Sequence, residues 1–155
     1  MQNQIKTYKW LTLGFLAVSF LGFLDATYLT AQHHLGVIPP CVITTGCEKV
    51  LTSEHNAIFG IPVALLGSIY YLFLFLLAVI SLDMKRGVIR FAAFITPIGF
   101  LASLYFVYLQ LFVIKEICSY CIVSATTSTI LFILGLSIII KSSRSKTDFQ
   151  NANNQ

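Results

Sequence analysis

Four long apolar runs divide the chain, roughly Trp10 to Ala31, Phe59 to Leu82, Phe91 to Ile114 and Ile117 to Ile140. Each is near the ~20 residues that carry an α-helix across ~30 Å of hydrocarbon. Residues 10–140 therefore read as four transmembrane helices, since a backbone in lipid must satisfy its own N–H and C=O groups. Polar residues gather between the runs: a short start over 1–9, a loop over 32–58, a basic stretch near Lys85 and a tail over 141–155. Only Lys115 and Glu116 separate the third run from the fourth, which predicts a very short turn. The tail is rich in Asn, Ser and Gln, a composition expected to be disordered.

Composition leads the same way. A chain that is 57% hydrophobic and 10% charged has too little polar surface to cover a soluble globule. Its mean hydropathy is +0.83. No polar stretch is long enough to bury a core of its own, so the expectation is one membrane domain. The first run follows Lys6 and Lys9, as a signal peptide would. It exceeds the roughly 7 to 15 apolar residues of a secretory segment, no small-residue cleavage site ends it, and it reads as a permanent anchor.

The formal net charge of +4 does not point to nucleic acid, because the cations sit beside membrane ends and not along one soluble face. Lys6 and Lys9, then Lys85, Arg86 and Arg90, then Lys141, Arg144 and Lys146 fall on one side. Lys49 and Lys115 fall on the other. The positive-inside rule assigns the crowded side to the cytoplasm. Both termini are then cytoplasmic, and the 32–58 loop and the Lys115 turn are extracytoplasmic. In a bacterial or archaeal plasma membrane that outer space permits disulfides.

All four cysteines fall at the outer face. Cys118 and Cys121 form a CxxC at the start of the fourth helix, where residues i and i+3 share a face. The helix N-terminus lowers a thiol pKa, and the thiolate is the attacking species. A reactive dithiol is the natural reading, although CxxC also occurs as half of a zinc site. Cys41 and Cys47 lie in the loop with five residues between them. Pro39 and Pro40 stiffen the approach and Gly46 permits a turn, so a disulfide is plausible, either structural or redox-active. Zinc bound by all four would need two short knuckles, and this spacing does not supply them; no metal is expected.

Other residues invite a function. Asp25 is the clearest acid within an apolar run, where a charge is costly, so it should face the bundle or the outer interface. It can serve as a structural hydrogen-bonding group, a proton carrier or an anchor for the loop. Ser124, Ala125, Thr126, Thr127, Ser128 and Thr129 suit close helix packing, and one side of that helix can also wall a pocket. His33, His34, His55, Glu48 and Glu54 suit a solvated interfacial loop better than a metal site. Tyr70, Tyr71, Tyr105 and Tyr108 read as packing residues or interface anchors. Gly22-Phe23-Leu24 and Gly99-Phe100-Leu101 form a faint internal echo.

Five features stand together along the chain: GlyPheLeuAspAlaThrTyrLeuThr at 22–30, the Cys41 to Cys47 loop with Glu48 after it, Ser53, PheGlyIleProValAlaLeuLeuGly at 59–67, and CysSerTyrCys at 118–121. In combination they resemble the bacterial and archaeal homologues of vitamin K epoxide reductase. The resemblance implies an all-α integral membrane protein, a four-transmembrane-helix bundle with an extracytoplasmic loop capping a quinone pocket. It implies that Cys118 and Cys121 are the active-site pair, with Cys121 attacking the quinone. Cys41 and Cys47 would be the shuttle pair, taking electrons from a separate thioredoxin-fold protein and passing them from Cys47 to Cys118. Ser53 and Phe59 match positions near the quinone, which would be ubiquinone or menaquinone. Four residues past the CxxC, where the animal enzyme has a tyrosine that helps hold the quinone oxygen, this chain has Ala125. The implied activity is quinone-dependent thiol oxidation supporting disulfide formation. The rival of another class is a non-enzymatic four-helix membrane protein, a small transporter or assembly subunit, with structural disulfides.

Overall fold

The computed structural model describes residues 2–36, 50–51, 57–58, 61–83 and 87–153, with side chains over 9–36, 50–51, 61–82 and 87–142. Helix α1 spans Gln2–Leu35, α2 Val63–Asp83, α3 Gly87–Tyr108 and α4 Ser119–Asn153. A π-helical segment, Leu109–Ile114, continues α3. Strands β1 (Ala57–Ile58) and β2 (Ile61–Pro62) pair antiparallel, Ile58 opposite Ile61, just before α2. Among the described residues, four stretches are long and apolar enough to cross a membrane: Lys9–Leu35, Val63–Leu82, Gly87–Ile114 and Ser119–Ser142.

The helices run up and down, and small residues set their register. A Cβ at Gly67 would lie 3.7 Å from that of Ala26, and at Gly22 the ring of Tyr71 occupies the place a Cβ would take. Phe20 and Phe75 meet with ring centroids 5.4 Å apart. One residue number rises as the other falls, so α1 and α2 are antiparallel. Gly135 on α4 lies against Ala93 and Thr96 on α3, and Phe100 stacks on Phe132 with centroids 4.8 Å apart, so these two are antiparallel as well. Gly14 reaches Leu134, and Tyr28 meets Tyr120, which joins α1 to α4. This is the small-residue packing that membrane helices use in the absence of a hydrophobic drive between them.

Pro97 interrupts α3. A proline ring removes the hydrogen bond to the carbonyl four residues earlier, here that of Ala93. Thr96 Oγ1 bonds that carbonyl at 2.8 Å, so the buried acceptor is not orphaned.

The core of the bundle holds Phe15, Leu74, Ile89, Leu131 and Ile138, all fully buried. The outer surface carries large apolar side chains, among them Phe94 at 77% exposed and Ile98 at 65%, as hydrocarbon surroundings demand. The short turn is present: four residues, 115–118, join the π segment to α4. The tail departs from expectation, because α4 runs on to Asn153. A helix already nucleated in lipid extends without a new nucleation cost, so polar composition alone does not end it.

Candidate functional site

At the head of α4 a thiol takes the place of the usual capping hydroxyl. Lys115 adopts a left-handed backbone, φ 56° and ψ 29°, and ends the π segment. The N–H groups of Lys115 and Glu116 both donate to the Gln110 carbonyl. The Cys118 carbonyl accepts the first bond of the new helix, from Ile122 N at 3.1 Å, which makes Cys118 the N-cap residue. Its sulfur accepts from the Cys121 thiol and from the backbone N–H groups of Cys121 and Tyr120.

Those bonds explain its acidity. The Cys121 thiol donating to it is the largest influence, and with the two N–H groups it brings the Cys118 thiol down to about 7 against the opposing effects of burial and of the nearby Asp25 charge. A thiolate is thus available near neutral pH, as the N-terminal position of the pair led one to expect.

Cys118 is fully buried beneath Val50, with Leu51, Ile114, Tyr120 and Cys121 around it. Cys121 borders a cavity of about 340 Å³ inside the bundle, a volume within the range of small-molecule sites. All four helices contribute to its wall: Ala26 and Leu29 from α1, Gly67 and Tyr71 from α2, Gly99 and Phe106 from α3, Ser124 and Ala125 from α4. The wall is mostly apolar. Leu66 and Ile98 line it and are themselves exposed.

Asp25 lines this cavity with one buried carboxylate oxygen that has no partner among the described residues, which agrees with its expected placement toward the bundle. The hydroxyl stretch of α4 divides as expected between packing and wall. Thr127 Oγ1 and the Ser124 carbonyl meet the Tyr71 hydroxyl at 3.1 and 2.8 Å, whereas Ser124, Ala125 and Ser128 line the cavity.

Sequence reasoning passed over Gln110. Only 3% exposed, it accepts the Cys118 N–H through Oε1 at 3.1 Å, its side chain also bonds the Cys121 thiol, and it lines the cavity. The signal that marked Asp25, a polar side chain within an apolar run, marks Gln110 equally. Cys41, Cys47, Ser53 and Phe59 lie outside the described residues.

Four helices long and apolar enough to cross a membrane thus enclose an apolar cavity that Cys121 of the dithiol borders. The model of the vitamin K epoxide reductase family matches residues 13–136, and the chain belongs to that family. Membership gives it a quinone-linked disulfide oxidoreductase role in general. Comparison with curated proteins yields no match.

Proposed function

We propose that the protein oxidises the thiols of a separate extracytoplasmic thioredoxin-fold protein and delivers the electrons to ubiquinone or menaquinone in the plasma membrane. Electrons pass from Cys41/Cys47 to Cys118/Cys121 and on to the ring. The observation that carries this reading is the dithiol itself: Cys121 borders the cavity and Cys118 lies beside it at the N-cap. A partly apolar space with a few polar groups suits a quinone ring, which supplies a two-electron, two-proton acceptor.

The arrangement supports a division of labour. Cys121 alone of the pair lines the cavity, so it faces the acceptor. Once the Cys121 sulfur has bonded to the acceptor, Cys118, the more acidic of the pair, attacks that sulfur as a thiolate. The S–S bond forms as the sulfur–acceptor bond breaks, and the electron pair of the broken bond leaves with the quinol. Asp25 receives a proton released from the thiols and hands it toward the ring. Val50 packs against Cys118, and the three residue steps from Val50 back to Cys47 span at most ~11 Å. The chain length therefore lets Cys47 reach Cys118. Gly36 and Val50, at the two ends of the 37–49 segment, belong to the same end of the bundle as the dithiol, which supports one membrane face for all four sulfurs. The basic-residue pattern makes that face extracytoplasmic, and Ser53 and Phe59 are proposed to approach the ring from the loop side.

The decisive experiment supplies the purified protein with a reduced thioredoxin-fold protein and either quinone, and follows thiol loss and quinol formation together. One quinol for each disulfide formed is expected. Cys121→Ser should abolish quinol formation in a folded protein; a variant that still reduces quinone would overturn the reading in favour of structural cysteines.

A further inference from the structure

Three buried side-chain oxygens lack a hydrogen-bond partner among the described residues: Asp25 Oδ2, Tyr70 OH and Ser128 Oγ. All three residues line the same cavity, and they arrive on three different helices. Folded proteins leave few such atoms, and each calls for an explanation. Asp25 has one in the thiol protons. Tyr70 and Ser128 do not.

Ser128 departs from the habit of its neighbours. Thr126, Thr127 and Thr129 bond back to the carbonyls of Ile122, Ser124 and Ala125, the usual recourse of a hydroxyl in an apolar helix. Ser128 does not, although it is only 2% exposed. The Tyr70 hydroxyl lies against Gly99, where a Cβ would collide with it; the Gly99 backbone has the least of the influences on it and makes no full hydrogen bond to it. The glycine makes room for the hydroxyl without satisfying it.

Their depth is informative. Cys121, Ser124 or Ala125, and Ser128 follow one another at i, i+3 or i+4, and i+7, a single stripe of α4. At 1.5 Å per residue Ser128 lies ~10 Å farther along the axis than Cys121. A ring against the Cys121 sulfur, one carbonyl toward that end and one away from it, occupies this interval once a hydrogen-bond length of ~2.8 Å is added.

We propose that the Tyr70 and Ser128 hydroxyls hold the carbonyl oxygen of a para-quinone that points away from Cys121. The proposal rests on the quinone reading above and names the groups that orient the ring. A carbonyl oxygen has two lone pairs, so it can accept from both hydroxyls. Reduction brings negative charge to that oxygen and strengthens both bonds, so the contacts favour the reduced ring. The balance is complete: the dithiol loses two electrons and two protons as its disulfide forms, and the quinone gains the same and departs as quinol.

The test compares wild type, Tyr70→Phe, Ser128→Ala and the double variant, with dithiothreitol as thiol donor and a short-tailed ubiquinone as acceptor. KM for the quinone, kcat and the Tm of the quinone-free protein are measured. Loss of each hydroxyl is expected to raise KM by about 3- to 10-fold. The Tm should stay level or rise, because an unpartnered buried hydroxyl does not stabilise the empty protein. Ser128→Thr should restore most of the affinity. A lowered Tm with unchanged KM would mean the hydroxyls are structural and would overturn the proposal, as would a variant that fails to fold. Quinol formed by wild type with every KM unchanged would remove the clasp and leave the quinone reading intact. No quinol from wild type would remove both.

Discussion

Gln110 Oε1 accepts the backbone N–H of Cys118 at 3.1 Å, tying a buried amide on the π segment to the residue that begins α4. The bond fixes the N-cap thiol relative to the cavity wall. Gln110→Leu leaves that N–H without a partner, and an unsatisfied buried donor costs ~1–3 kcal/mol. The variant should melt at a lower temperature by circular dichroism and reduce quinone more slowly, whereas the equally buried change Thr12→Val, far from the dithiol, should leave the quinone rate unchanged.

The acidity of Cys118 sets a pH dependence. Its thiol titrates at about 7, held down first by the Cys121 thiol. Below that pH the sulfur is protonated and cannot attack; above it the thiolate dominates. Oxidation of the reduced protein should speed up with rising pH and level off above about 7, whereas an ordinary cysteine would place the midpoint near ~8.5. In Cys121→Ala the donated hydrogen bond is gone, and the ultraviolet thiolate absorbance of Cys118 should develop at higher pH.

Tyr71 links α2 to α4 through bonds to the Ser124 carbonyl and the Thr127 hydroxyl, and its ring fits only because residue 22 has no side chain. Gly22→Ala should cost ~1–3 kcal/mol, the usual penalty of overpacking. Tyr71→Phe keeps the ring and loses the bonds, so it should cost less, about 1 kcal/mol. Chemical unfolding in detergent would rank them in that order.

Asp25→Asn removes the proton-accepting charge and keeps the shape. If the carboxylate carries thiol protons, turnover should fall by about 100-fold, at the low end of general acid–base contributions, with the melting temperature nearly unchanged. Turnover equal to wild type in a folded variant would assign Asp25 a structural role only.

The four spans were legible because lipid imposes a length on apolar runs, and the dithiol was legible because its spacing and its place at a helix start are local facts. Gln110 was not. Its segment, LQLFVI, reads as plain apolar helix, and the widening to a π turn depends on one carbonyl taking the N–H groups of both Lys115 and Glu116. Tyr70 and Ser128 looked like packing residues, because whether a hydroxyl bonds back to its own helix depends on its rotamer and its neighbours. The echo of Gly-Phe-Leu gained a meaning only in three dimensions: Gly22 and Gly99 receive the rings of the adjacent Tyr71 and Tyr70. Such pairings join α2 to two different helices, and nothing in the one-dimensional pattern reports them.

The link between α3 and α4 holds only four residues, 115–118, anchored through the Gln110 carbonyl at one end and the first bond of α4 at the other. It leaves Cys118 and Cys121 no tether along which to travel. On the proposed route they act as a stationary electrode, and a visiting carrier must cover the whole distance between the electron donor and the bundle. Shortening the 37–49 segment should therefore stall delivery of electrons while leaving a chemically pre-reduced dithiol fully able to discharge into the ring.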